Sequence, residues 1–225
     1  MQEYFNRQIM LWGKKRQIEL QNKSVLIVGS GGLGCSNALA LSGSGVGVID
    51  IVDFDKVETH NIHRQILFDI VDEGKYKCEV AAKKIAQRNP FVKVHAYIQS
   101  FEDFIVSNSN KYDIIIDATD NLQTRAAIDT YAKEKKIPWI YGSVEEFYGQ
   151  VCFFKKSSFT AFFAAKKLEV KGIVAPMVMQ IAALQANLAL RYLVNLPVRS
   201  DLLYYLYYNS EGEFETKRFF LTKDE

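Results

Sequence analysis

Cysteine is scarce in this chain. Cys35, Cys78 and Cys152 are the whole complement of 225 residues, an odd number with no CxxC spacing. That excludes a disulfide scaffold, suits a reducing cytoplasm and supplies no zinc signature. Only four prolines occur, which excludes collagen-like and proline-rich architectures. An excess of one charge is also missing, since 28 Lys and Arg against 26 Asp and Glu leave a formal +2. A nucleic-acid binder would need its cations gathered on one face, so no nucleic-acid partner is expected. Met1 to Trp12 carries Glu3 and Arg7 among apolar residues, unlike the basic head and apolar core of a signal peptide. Long hydrophobic runs are rare. The longest uncharged stretch, Gly172 to Leu190, approaches membrane-span length. However, Gln180, Gln185 and Asn187 would each need a partner inside lipid. Pro176 suits a first helical turn, and Met177, Ile181, Leu184 and Leu188 recur at helical spacing. A buried core helix is predicted, in a cytoplasmic protein with no membrane partner.

What remains is ordinary globular material: 48% apolar, 13% aromatic and 24% charged residues. The length favours one large domain over two. Residues 4 to 20 form an amphipathic lead-in, helical around Lys15 to Leu20. Ser24 to Gly29 reads as a buried parallel strand, followed by a glycine turn, a helix over Cys35 to Ser42 and a strand over Val48 to Asp53. That is one βαβ unit. Residues 56 to 76 make a long polar connection, and such connections are usually functional. Further elements are predicted as a helix over Lys77 to Arg88, a strand over Lys93 to Ile98 and a strand over Tyr112 to Ala118. Thr119-Asp120-Asn121 then caps a helix over Leu122 to Lys135. Strands over Pro138 to Gly142 and Gln150 to Lys155 precede the Pro176 helix. Leu203 to Tyr208 and Phe214 to Leu221 alternate around Ser210-Glu-Gly212 as a terminal hairpin. The fold class is α/β, with a mixed, mainly parallel sheet completed by that hairpin. Within 1–225 we expect a nucleotide-binding core over 20–150, a crossover over 151–175 and a completing helix and hairpin over 176–225.

Gly29, Gly31 and Gly34 satisfy GxGxxG at a strand-to-helix junction, with Gly32 between them. Such a turn brings backbone N–H groups and a helix N-terminus up to an anion. Asp53 lies nineteen residues past Gly34, where a carboxylate can hold a ribose. A nicotinamide-dependent dehydrogenase is the usual owner of this pattern, but little chain is left for a substrate domain. Asn61-Ile-His-Arg64-Gln65, Lys77 and Asp120-Asn121 instead place cations and a carboxylate after strand ends. A triphosphate under attack needs that mixture, cations for its oxygens and a carboxylate for magnesium.

Tyr4-Phe-Asn-Arg7-Gln8, Gly29 to Gly34, Asp53-Phe-Asp55, Asn61-Ile-His-Arg64-Gln65, Lys77, Ala118-Thr-Asp-Asn121 and Ala175-Pro176 together resemble the ThiF/MoeB family, bacterial relatives of ubiquitin-activating enzymes. The resemblance runs from about residue 4 to 221, in the family's order and spacing. It implies a Rossmann-like ATP-binding fold and an adenylyltransferase. The substrate would be the C-terminal glycine carboxylate of a small ubiquitin-like sulfur carrier ending in Gly-Gly, with thiamine synthesis favoured over molybdopterin synthesis. It also implies that Gly29, Gly31, Gly32 and Gly34 lie against ATP, with Asp53 on the ribose and Asp55 and Asn121 lining the pocket. Arg64 and Lys77, helped by Asn61, would contact the phosphates, and Asp120 the magnesium. Arg7 would reach into the partner's site of a homodimer.

The chain departs from the family twice. It lacks the two CxxC pairs that hold zinc in many relatives, so no zinc is expected. The crossover, Lys156 to Val174, has no cysteine, so sulfur would come from a separate donor protein. Cys152, Cys35 and Cys78 read as core residues. A carboxylate is already ionised at neutral pH, so His60, His63 and His95 are expected to be solvated loop or strand residues without a catalytic role. Other readings are adenylation of a different carboxylate, a silent binding subunit and the dehydrogenase.

Overall fold

The computed structural model describes residues 3–163 and 172–221. Five runs form parallel strands: β1 (Ser24–Val28), β2 (Val48–Val52), β3 (Lys93–Tyr97), β4 (Ile114–Asp117) and β5 (Trp139–Glu145). Antiparallel β6 (Tyr148–Phe154), β7 (Leu202–Tyr208) and β8 (Phe214–Phe220) complete one eight-stranded sheet. Its order is β3-β2-β1-β4-β5-β6-β7-β8. The strand order reverses between β1 and β4, which makes a topological switch point where the loops after the two strands diverge.

Alternation along each strand divides the core in two. Val25, Ile27, Ile49, Ile114 and Ile140 face α2 (Gly32–Ser44), α3 (Lys77–Arg88) and α7 (Ala175–Leu193). Leu26, Val28, Ile115, Trp139 and Cys152 face α4 (Phe101–Ser107), α5 (Leu122–Lys135) and the short α6 (Phe159–Phe162). Strands β1 and β4 are therefore buried on both sides, which explains their apolar sequences, whereas the edge strand β3 is partly exposed and more polar. The uncharged Gly172 to Leu190 stretch lies mostly in α7 and packs in the first core. No described helix is long and apolar enough to cross a membrane.

Three elements differ from expectation. The lead-in is helical from Asn6 to Leu20 as α1, broken at Gly13, whose φ is +84°. Helix α4 was not expected, yet Ser100 caps it by accepting from the Asp103 N–H at 3.1 Å. The Ser-x-x-Asp spacing in the sequence is the signal for such a cap. The crossover carries α6, whose Phe159 is buried in a ring cluster with Trp139 and Phe154; residues 164–171 of the crossover lie outside the described residues.

Candidate functional site

The turn after β1 is shaped by contact with the end of β4. Gly29 sits at φ +95°, and a Cβ there would lie 2.6 Å from the Ala118 carbonyl oxygen, so only glycine fits. Gly31 is the N-cap of α2, and with no side chain it leaves the first-turn N–H groups unoccupied by any cap. Gly34 closes the helix against the Gly29 carbonyl. A Cβ on Gly32 would stand 2.7 Å from Val178 and 3.2 Å from the Arg64 carbonyl oxygen. The polar loop, the start of α7 and the start of α2 thus meet at one point.

Asp53 leaves β2 beside this turn. Its carboxylate accepts from the Ser30 N–H and, at 2.7 Å, from the Asp55 N–H. Burial pushes the Asp53 carboxyl above the ordinary range, against the pull of those N–H groups and of the Lys77 ammonium. Lys77, expected to be a phosphate contact, is 5% exposed and donates to the Asp55 carboxylate at 2.9 Å. Asp55 therefore holds Lys77 here, and the two predicted site residues form an ion pair.

The connection over 56–76 is ordered by two 3₁₀ turns, Thr59–Asn61 and Ile70–Asp72, and by Lys84 of α3 bridging Asp69 and Asp72. Its first turn sets Arg64. The Arg64 Nη2 donates to Asn61 Oδ1 at 2.7 Å, and Asn61 Nδ2 donates to Glu58 at 3.1 Å. Gln65 follows, buried against Gly31. Two buried oxygens here, Ser30 Oγ and Gln65 Oε1, have no hydrogen-bond partner among the described residues. Orphaned polar atoms beside a donor-rich glycine cradle fit a polar, anionic ligand such as a nucleotide.

Across the switch point, Asp120 is exposed and joins no hydrogen bond or ion pair among the described residues. The cap of α5 is Asn121, which accepts from the Thr124 N–H at 2.8 Å. This corrects the expectation that Asp120 shares in capping, and it leaves that carboxylate available for a cation. The turn carrying it is fixed from below. Asp117, fully buried, accepts from the Thr119 N–H at 2.9 Å and hydroxyl at 2.6 Å and from Arg125 Nε at 3.0 Å. Arg125 Nη2 also donates to the Thr119 and Gly142 carbonyls, at 2.6 and 3.1 Å. Burial pushes Asp117 up despite Arg125. Gln185 of α7 joins the network, donating to the Asp117 carbonyl at 2.7 Å and accepting from Asn37 at 2.8 Å. The sequence did not reveal this pair; an Asp ending an apolar strand with an Arg in the next helix was its only signal.

Arg7 stands elsewhere. It is an exposed residue of α1, whose Gln8 and Gln17 donate to the Ser44 carbonyl at 3.2 and 3.0 Å. Ser44 ends α2, so a helix of 13 residues, about 20 Å long, separates that contact from the glycine turn. Arg7 is not brought to the site of its own chain. All three cysteines are buried, and burial pushes the thiols up, Cys35 to about 12 and Cys78 to about 11. His95 is not simply solvated: its Nδ1 lies 2.7 Å from the buried Asp50 carboxylate. His63 contacts Arg64.

The glycine turn, Arg64, the Lys77–Asp55 pair and the exposed Asp120 sit near the switch point of a Rossmann-like α/β sheet. The model of the ThiF family matches residues 5–223, and the chain belongs to that family. It is 36% identical over 153 residues to the sulfur carrier protein adenylyltransferase of Thermus thermophilus, covering 67% of this chain and 56% of that protein. It is 32% identical over 206 residues to the adenylyltransferase and sulfurtransferase MOCS3 of Dictyostelium discoideum, covering 86% and 48%. The chain thus spans only about half the length of these curated relatives. Among solved structures, PaaA superposes with a TM-score of 0.84 at 23% identity, over 99% of this chain and 74% of that one. Escherichia coli MccB, crystallised with ATP, gives 0.85 at 20% identity, over 98% and 71%. These two likenesses establish the fold.

Proposed function

We propose that the chain is an adenylyltransferase working as one unit from residue 1 to 225, with 20–150 binding the nucleotide. Its substrates are ATP and the C-terminal glycine carboxylate of a small ubiquitin-like sulfur carrier ending in Gly-Gly. The carrier of thiamine biosynthesis is the first to test, and that of molybdopterin synthesis the second. A carboxylate oxygen attacks the α-phosphorus, the bond from that phosphorus to the bridging oxygen breaks, and pyrophosphate leaves.

Two anions must approach each other, so placed cations carry most of the catalysis. The α2 N-terminus and the glycine N–H groups hold phosphate oxygens, Asp53 the ribose, and Asn61, Arg64 and Lys77 the charge developing on the phosphates. Asn121 and Asp55 shape the pocket wall. Asp120 would hold magnesium, which bound with ATP would neutralise phosphate charge. Arg7 serves the site of a second copy, which makes the working form a homodimer. The exposed rings of Phe147, Tyr148, Tyr208 and Phe214, beyond the carboxyl end of β5, offer the carrier an apolar surface. A separate protein supplies sulfur to the acyl-adenylate.

The observation that carries this reading is the exposed Asp120 carboxylate, which follows β4 across the switch point from the glycine turn and joins no hydrogen bond or ion pair among the described residues. Its test is ATP–pyrophosphate exchange with magnesium and a Gly-Gly carrier. Carrier-dependent exchange, lost in Asp120→Ala and retained in Cys152→Ala, is expected. Exchange indifferent to the Gly-Gly tail assigns another carboxylate, and binding of NAD without ATP revives the dehydrogenase.

A further inference from the structure

We propose that His63 is a positioning residue for Arg64, acting as a neutral hydrogen-bond acceptor that aims the guanidinium at the phosphates; this rests on the ATP site argued above. His63 Nε2 lies 2.9 Å from Arg64 Nη1. A guanidinium has donors only and stays charged, so the ring nitrogen must be the acceptor. The histidine is therefore neutral, with its proton on Nδ1. Arg64 is then gripped on both sides, Nη2 by Asn61 Oδ1 at 2.7 Å and Nη1 by His63. Its stem runs past Gly32, where a Cβ would come within 3.6 Å of Arg64 Cγ. Glu58 completes the chain by taking the Asn61 amide N–H, which turns the Asn61 oxygen toward Arg64.

Protonation of His63 turns the acceptor into a donor and sets a cation against a cation. The grip on Nη1 is lost, and Arg64 swings away from the glycine turn. Among the described residues, the other titratable or charged groups on this turn are Glu58 and His60, which lie 3.6 Å apart, and Glu58 is engaged by the Asn61 amide. A protonated ring cannot accept from the guanidinium, so nucleotide affinity should weaken on acidification.

The test is equilibrium binding of a non-hydrolysable ATP analogue with magnesium, at pH 7.5 and 5.5, to the wild type and to His63→Gln. Gln offers an amide oxygen that does not titrate, and the ligand's own titration cancels between the two proteins. A hydrogen bond to a charged group is worth about an order of magnitude in binding, so the ratio of Kd at pH 5.5 to Kd at pH 7.5 should be on the order of tenfold larger for the wild type. His63→Phe should bind weakly at both pH values. Equal ratios for wild type and His63→Gln overturn the inference while leaving the ATP site standing. Failure of the wild type to bind nucleotide at either pH overturns both. An independent reading is the tautomer: nitrogen-15 NMR at pH 7.5 should show His63 protonated on Nδ1, and a ring protonated on Nε2 refutes the role.

Discussion

Replacing Arg125 by Met tests whether the turn that carries Asp120 is held by the buried Asp117–Arg125 pair. Methionine keeps the length and much of the apolar contact of the stem but none of the donors. The guanidinium serves Asp117 at 3.0 Å and the Thr119 and Gly142 carbonyls at 2.6 and 3.1 Å, with almost no solvent to replace it. Breaking a buried pair from one side costs about 3–5 kcal/mol. At roughly 2–4 °C per kcal/mol for a chain of this size, Tm should fall by about 6–20 °C in a calorimetric scan at pH 8. The sign of the pH effect follows from the carboxylate left behind. Without its cation, Asp117 has a folded pKa still further above the unfolded value of about 3.9. Its contribution is full below the unfolded value and is lost as pH rises through the folded one. The deficit relative to wild type should therefore be smaller at pH 5 than at pH 8. Asp117→Asn added to Arg125→Met should recover part of the loss at pH 8. A deficit under about 1 kcal/mol, or one equal at both pH values, would refute the reasoning.

Asp120→Ala should lower pyrophosphate exchange by on the order of a hundredfold with Tm unchanged, because the carboxylate makes no hydrogen bond among the described residues; a parallel fall in Tm would give it a structural role instead. Arg7→Ala and Asp120→Ala should each be inactive alone yet regain exchange when mixed and allowed to swap subunits, since one intact site then forms from two chains. No regain would argue against a shared site. Asp201 is buried, which alone would raise its carboxyl, but N–H groups of Ser157, Lys155 and Lys156 at 2.9–3.1 Å hold it below the ordinary range. Its stability is thus present above about pH 4 and lost as pH falls, so the penalty of Asp201→Asn, about 1–3 kcal/mol at pH 7 by urea titration, should shrink toward pH 3. A penalty that grows on acidification would contradict this.

The parts of the fold legible in the sequence are those whose pattern is local. β1, the glycine turn, α2 and β2 are apolar runs bounded by glycine, and strands buried on both faces need no partner to be recognised. The positions of the turn glycines and of Asp53 at the end of β2 followed from that unit. Helix α4 is shorter than the window in which helical spacing stands out, and α1 is interrupted at Gly13 with its first half mostly exposed. Contacts made across the fold were not legible. Lys77 reads as a phosphate cation in the sequence, and only folding reveals that Asp55, twenty-two residues away, holds its ammonium. Likewise, the capping run Thr119-Asp120-Asn121 cannot say which residue caps. With Asn121 in that role, Asp120 joins no hydrogen bond or ion pair among the described residues. His63 looked like a loop histidine because the guanidinium it meets is its own neighbour, and neighbours in sequence rarely advertise contact.

Intact mass spectrometry of a Gly-Gly carrier, after incubation with this protein, ATP and magnesium, reads the central step most directly. The account predicts a gain of one adenylyl group on the C-terminal glycine carboxylate, absent without magnesium and absent with Arg64→Ala. An unmodified carrier whose tail is intact, or an adenylyl group that survives removal of the terminal glycine, would contradict it.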